Sequence, residues 1–318
     1  MRTSAGHPVV KRPRRAPNST HMHMQPLILS TAILAFAAWP ASAQIAPLLA
    51  PPRLVNAPGT SDTTNDDGVA LGVGGDGLFV AFYSAIDPTP GTGGDRDIHF
   101  ARSFDNGTTW LTIGAAQAIF ATDGADDDRE PSITSNAIFW RFAYASDRLQ
   151  TAGEHDIYWG AASATPGVFS QNGPINNDFP GDNKDDREPC IVNAGNTYVC
   201  AWQRNSGDPE WDICFSRSIN GSNVWSPVAF LNTNGATDIG QDLHPRLATD
   251  GIGTWVAVWQ STENMGGTIG TDNDIFSARS TDDGATWSAP TLVNSTAASD
   301  GTASDLSPTI AVDRLSGT

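Results

Sequence analysis

The chain has 318 residues, with 18 Lys and Arg against 35 Asp and Glu and a formal net charge of −17. That acidity excludes a broad nucleic-acid or anionic-membrane surface, and the length suffices for one large all-β domain.

Residues 1–43 read as a leader and residues 44–318 as the mature domain. The apolar run 27–39 is too short to span a bilayer, and Ala41-Ser42-Ala43 is a small-residue cleavage pattern. Lys11, Arg12, Arg14 and Arg15 form a long basic n-region, or translation starts at Met22 or Met24. A nucleic-acid reading of that cluster is weaker, because the apolar run follows directly. Cleavage removes five basic residues and no acidic one, leaving −22. The expected location is secreted, periplasmic or extracellular, and no later segment is apolar for long enough to span a membrane.

Beyond the leader the chain repeats. Units open with Asp-x-x-Pro: DREPSI (128–133), DREPCI (186–191), DLHPRL (242–247) and DLSPTI (305–310), with a degenerate first copy at Asp66. The prolines, Pro131, Pro189, Pro245 and Pro308, are 58, 56 and 63 residues apart. Each is expected at a strand's first residue, where its missing N–H lies outside the ladder. A second strand, apolar on both faces, follows and ends at Tyr83, Tyr144, Trp202 or Trp259. Asp-Ile marks the third strand, at Asp97, Asp156, Asp212 and Asp274. Fourth strands are expected at 173–176, 226–232 and 289–294, and PRLVN (52–56) resembles one of them. Four short strands per unit of this length predict a β-propeller of four-stranded antiparallel blades. A β-helical solenoid is the competitor, but its repeats are shorter. The blades fall at about 66–119, 128–178, 186–232 and 242–294, with a partial unit at 305–318.

Between third and fourth strands lie SFDNGTTW (103–110), SINGSNVW (218–225) and STDDGATW (280–287). An acid followed two residues on by Gly suits a tight hairpin, and the closing Trp supplies a large apolar face. These segments resemble the Asp-box, or BNR, repeat of the sialidase-like propellers. The matching residues are Ser103, Asp105, Gly107 and Trp110; Ser218, Asn220 and Trp225; and Ser280, Asp282, Gly284 and Trp287. The resemblance implies a six-bladed family, against which this sequence reads as truncated after about four and a half blades. The three box tryptophans are expected to be buried beside their hairpins.

The resemblance also implies a carboxylate-binding arginine set, a Tyr–Glu nucleophile pair and an Asp acid. Arg129 and Arg187 stand at strand openings, Arg148 and Arg204 just after second strands, and Asp208 later in that loop. Glu130 and Glu188 replace the motif's Ile, and Asp128 and Asp186 its aromatic. The nucleophile and a late arginine would fall in blades beyond residue 318. All four tyrosines, Tyr83, Tyr144, Tyr158 and Tyr198, lie on strands and read as core.

The function expected is therefore a secreted propeller that recognises glycan or protein with an incomplete catalytic set. The alternative is an exo-alpha-sialidase-type glycoside hydrolase cleaving terminal sialic acids. The partner is a carbohydrate or protein ligand, not nucleic acid. No cofactor is required and no metal site stands out, although calcium suits acidic loops such as 126–128 and 182–186. Cys190, Cys200 and Cys214 fall in one unit. Cys190 and Cys200, symmetric about residue 195, are expected to face each other as a disulfide; three buried thiols are the alternative.

Overall fold

The computed structural model describes residues 66–75, 77–86, 95–111, 126–136, 138–148, 153–163, 169–179, 182–206 and 210–313. They lie within a compact unit, Arg53–Thr318. The leader, the strand expected at 52–56, Asp208 and residues 314–318 lie outside the described residues.

All regular structure there is β, and it forms four antiparallel sheets. The first holds β1 (Asp66–Val73), β2 (Phe79–Ile86) and β3 (Arg96–Ser103). The second holds β4 (Asp128–Ser135), β5 (Phe139–Ser146), β6 (Asp156–Ser163) and β7 (Ser170–Pro174). The third holds β8 (Asp185–Ala194), β9 (Thr197–Asn205), β10 (Trp211–Ser218) and β11 (Ala229–Phe230). The fourth holds β12 (Asp242–Thr249), β13 (Trp255–Ser261), β14 (Asp274–Ser280) and β15 (Thr291–Leu292). Strands pair in sequence order, and the first strands of successive sheets lie side by side, β1 on β4, β4 on β8 and β8 on β12. These are propeller blades. Residues 305–313 carry no strand, and among the described residues no helix is long and apolar enough to cross a membrane.

A four-stranded blade is apolar on both faces, so its core is shared with its neighbours. Phe82 and Phe100 pack with Phe142 and Tyr144 between the first two blades. Trp159 and Ile157 pack with Cys200 and Trp202 between the second and third, and Val199 and Phe215 with Trp255 and Phe276 between the third and fourth. The four tyrosines are buried as expected.

The prolines, however, do not begin strands. Strands β4, β8 and β12 start three or four residues earlier, and each Pro sits in a bulge where one extra residue opposes the second strand. The residue before it takes a left-handed conformation: φ is 59° at Glu130, 52° at Glu188, 56° at His244 and 55° at Ser307. Gly68 fills the same seat in the degenerate first copy, at φ 58°. The freed N–H crosses to the preceding blade, Glu188 N to Glu130 Oε2 at 2.7 Å, His244 N to Gln203 Oε1 at 3.0 Å and Ser307 N to Gln260 Oε1 at 2.8 Å. The bulges of β8 and β12 therefore cost no unpaired donor there and clasp one blade to the next.

The cysteine expectation fails for a related reason. The β8–β9 turn is the two-residue Gly195-Asn196, so Cys200 opposes Ile191 and Cys190 opposes Ala201. A slip of one residue sends the two side chains to opposite faces. All three thiols are free. Outer strands β11 and β15 are also shorter than expected, because Pro227 and Pro290 cannot donate to the ladder.

Candidate functional site

The antiparallel register gathers the bulged strand openings, the ends of the second strands and the starts of the third onto one face. Asp128, Asp156, Asp186, Asp212, Asp242 and Asp274 are buried along this rim. At its centre, between the first strands, is a cavity of about 360 Å³ that includes Ala70, Glu130, Ser132, Glu188, Cys190 and Arg246 in its lining. A recess of about 230 Å³ adjoins it, lined by Asp67, Gly68, Arg96, Arg129, Glu130 and Glu188.

The charges here are mixed and internally compensated. Arg96 contacts Asp67 at 2.9 Å and Arg187 contacts Asp185 at 2.9 Å and Glu130 at 3.7 Å. Arg129 pairs with Asp127, and Arg246 approaches Glu188 at 3.7 Å. Burial pushes Glu130 above the ordinary carboxyl value. Glu188 is drawn below it, chiefly by His244. Two carboxyls on one cavity with opposite shifts are what acid–base chemistry uses. Burial and the nearby Arg187 both lower Arg129.

Arg129 thus lines the smaller recess, and Arg187 stands close by through Glu130. Arg204 lines neither. It is buried on β9 opposite Asp186, with Nε and Nη2 each 2.6 Å from that carboxylate, and Nη1 and Nη2 are 2.6 and 3.1 Å from Asp178. Burial alone would lower Arg204, but Asp186 and Asp178 outweigh it and hold the guanidinium above its ordinary range. Arg148 follows β5 and bonds Gln171, while its carbonyl accepts from Tyr158 Oη at 3.1 Å. Glu130, Glu188, Asp67, Arg96 and Arg246 were not singled out from sequence. For Glu130 and Glu188 the signal was the recurring Glu in the DREP openings, which read there as a departure from the resembled motif; Arg96 and Arg246 gave none.

The serine-containing turns lie on the opposite face. Ser103 Oγ donates to Asp105 Oδ1 at 2.8 Å and accepts from Gly107 N at 2.8 Å; Ser280 repeats both bonds with Asp282 and Gly284, at 2.7 and 3.0 Å. In the middle copy the left-handed pair is Asn220–Gly221, one residue nearer the serine than Asn106–Gly107 or Asp283–Gly284. Asn220 is therefore out of step with Asp105 and Asp282. Buried Arg141 of the preceding blade reaches into that turn, bonding the Gly221 and Ser222 carbonyls at 2.9 Å each. Trp225 and Trp287 are buried, but Trp110 is only half-buried. Each buried one packs on the third strand of the preceding blade, Trp225 on Trp159 and Trp287 on Phe215. Trp110 belongs to the first described blade, so no preceding blade covers it among the described residues.

For cation binding, residues 182–186 are already served by bases, since Lys184 contacts Asp178 at 2.9 Å and Asp182 at 3.4 Å. Carboxylates also gather at Asp212, Asp238 and Asp242 and at Asp272, Asp274 and Asp300.

Bulged four-stranded blades around a central mouth define a sialidase-like β-propeller. Solved structures share this fold at low identity. A protein of unknown function from Dyadobacter fermentans aligns with TM-score 0.53 and 13% identity, over 72% of this chain and 69% of its own. A leech intramolecular trans-sialidase complexed with 2,7-anhydro-Neu5Ac aligns with TM-score 0.51 and 9% identity, over 76% and 53%. The GH93 α-L-arabinofuranosidase of Fusarium graminearum, in complex with arabinobiose, gives TM-score 0.50 and 13% identity, over 68% and 63%. The chain thus spans less than two thirds of the length of the two enzymes. No protein-family model matches the sequence, and no curated protein matches it.

Proposed function

We propose that this is an exported carbohydrate-recognition propeller whose central mouth binds the hydroxyls of a neutral glycan. The observation that carries the reading is the internal compensation of the arginines: Arg96, Arg129 and Arg187 each face a carboxylate of their own chain. A carboxylated sugar would have to displace Asp127 or Asp185 and would then stand beside Glu130. Sugar hydroxyls both donate and accept, so they suit a ring of mixed charge. The arabinobiose bound by the Fusarium enzyme is consistent with this ligand class. Titration calorimetry of the full chain with arabino-oligosaccharides and with sialyllactose tests it. Neutral oligosaccharide should bind and Glu188→Gln should weaken binding at least tenfold; preference for sialyllactose would overturn the proposal.

A second reading, exo-sialidase, is favoured by one observation, the closeness of Arg129 and Arg187 at the openings of consecutive blades. A retaining sialidase also needs a nucleophile and an acid in one pocket, and all four tyrosines are core. The chain should therefore hydrolyse a fluorogenic sialoside no faster than a protein blank. Turnover that disappears in Arg187→Ala would establish the hydrolase instead.

A further inference from the structure

The junctions between blades carry a recurring polar frame. An Asp at the start of the third strand is followed 20 residues on by an Asn: Asp156 and Asn176, Asp212 and Asn232, Asp274 and Asn294. Each Asn accepts from the N–H of the Ile after that Asp, at 3.2, 3.1 and 3.1 Å, and donates to the Asp itself. Six residues beyond the Asn comes another Asp, namely Asp182, Asp238 or Asp300.

The frame is alike but its contents differ. At the junction of the second and third blades Arg204 enters, 2.6 Å from Asp186, 2.6 Å from Asp178 and 3.8 Å from Asp182. There the acidic frame encloses a cation supplied by the chain. One blade further, the position of Arg204 is Ser261, opposite Asp242. After the fourth blade, Asp272, Asp274 and Asp300 bring carboxylate oxygens within 4.8 Å of one another, and none makes an ion pair with a basic residue among the described residues. Asp274 is 0% exposed, and its Oδ2 has no hydrogen-bond partner. Both oxygens of Asp272 and Oδ1 of Asp300 are likewise buried and unpartnered. Buried anionic oxygens in such number require a counter-charge.

We propose that Asp272, Asp274 and Asp300 bind a divalent cation, best matched by calcium, at the place in the frame where the earlier junction uses a guanidinium. The donor set is all oxygen, which selects a hard ion over zinc or copper. An all-protein oxygen set suits calcium, which takes roughly six to eight such ligands in flexible geometry, whereas magnesium keeps several of its own waters. Asn294, bonded to Asp274 Oδ1 at 2.6 Å, fixes that carboxylate and leaves the other oxygen free. The ion would tie the loop after β15 to the start of β14.

The test uses the full chain stripped with chelator and titrated with calcium chloride. Calcium at a hundredfold excess over Kd should raise Tm by about 5 °C, and magnesium should do less. Asp272→Asn and Asp300→Asn, both partly exposed and therefore tolerant of change, should each lower calcium affinity at least tenfold while leaving the apo Tm unchanged or raised. No calcium response in the wild type would overturn the proposal. So would full retention of the response in both variants, or its loss only in Asp238→Asn.

Discussion

Trp225 stands edge-on to Trp159, with ring centroids 5.9 Å apart and planes at 70°. The first ring closes a turn of the third blade and the second lies on β6 of the blade before it. Trp287 and Phe215 repeat the relationship one blade on, at 5.9 Å and 72°. The tryptophans of these two turns are thus contacts between blades more than parts of their own hairpins.

Trp225→Ala should therefore destabilise the protein by about 3–5 kcal/mol, while Trp110→Ala, at a half-covered position, should cost roughly 1 kcal/mol. Urea unfolding midpoints measure both. Equal losses would mean that the rings stabilise their own hairpins.

Arg204→Met leaves the carboxylates of Asp186 and Asp178 without their cation. Removing one partner of a buried pair costs about 3–5 kcal/mol. Pairing with a second change, Asp186→Asn, should recover part of that loss. Thermal unfolding of the single and double variants decides it, and additive losses would sink the account.

At His244 the backbone stands at φ 56°. His244→Gly should be tolerated, within roughly 1 kcal/mol, whereas a β-branched His244→Val should cost about 1–3 kcal/mol. If both variants unfold at the wild-type midpoint, the left-handed conformation at this position places no demand on the side chain.

Asp105 and Asp282 are each lowered to about 2 by hydrogen bonds from Thr109 and Thr286. A carboxyl with a depressed folded value stabilises fully above its unfolded value of about 4, and that contribution is lost as pH falls toward 2. Unfolding midpoints should fall over this window, and less steeply in Asp282→Asn. Identical slopes in the two proteins would show that these turns do not contribute to acid sensitivity.

The period, the four-strand unit and the apolar second strands were legible because each follows from side-chain alternation and turn chemistry within a few residues. The bulges were not. Asp-x-x-Pro was visible, but the left-handed residue before proline shows itself only in Gly68, in the copy that had lost its proline. The Cys190–Cys200 pairing failed because a hairpin centred between Gly195 and Asn196 shifts the register by one from a centre at residue 195. In the site, Arg204 was visible as an arginine, yet its partners Asp186 and Asp178 come from other strands and loops. Glu130 and Glu188 were in view but read as flaws in a resembled motif, whereas they line the mouth.

Because each apolar layer belongs to two blades at once, stability is distributed by seam rather than by blade. The second and third blades each border two of the described seams, and the first and fourth border one. Amide protons of β5 and β9 should then exchange with solvent only on global opening, while those of β1 and β14 exchange through partial fraying. A polypeptide built this way lengthens or shortens in whole units, since a cut through a blade would strip two layers instead of one.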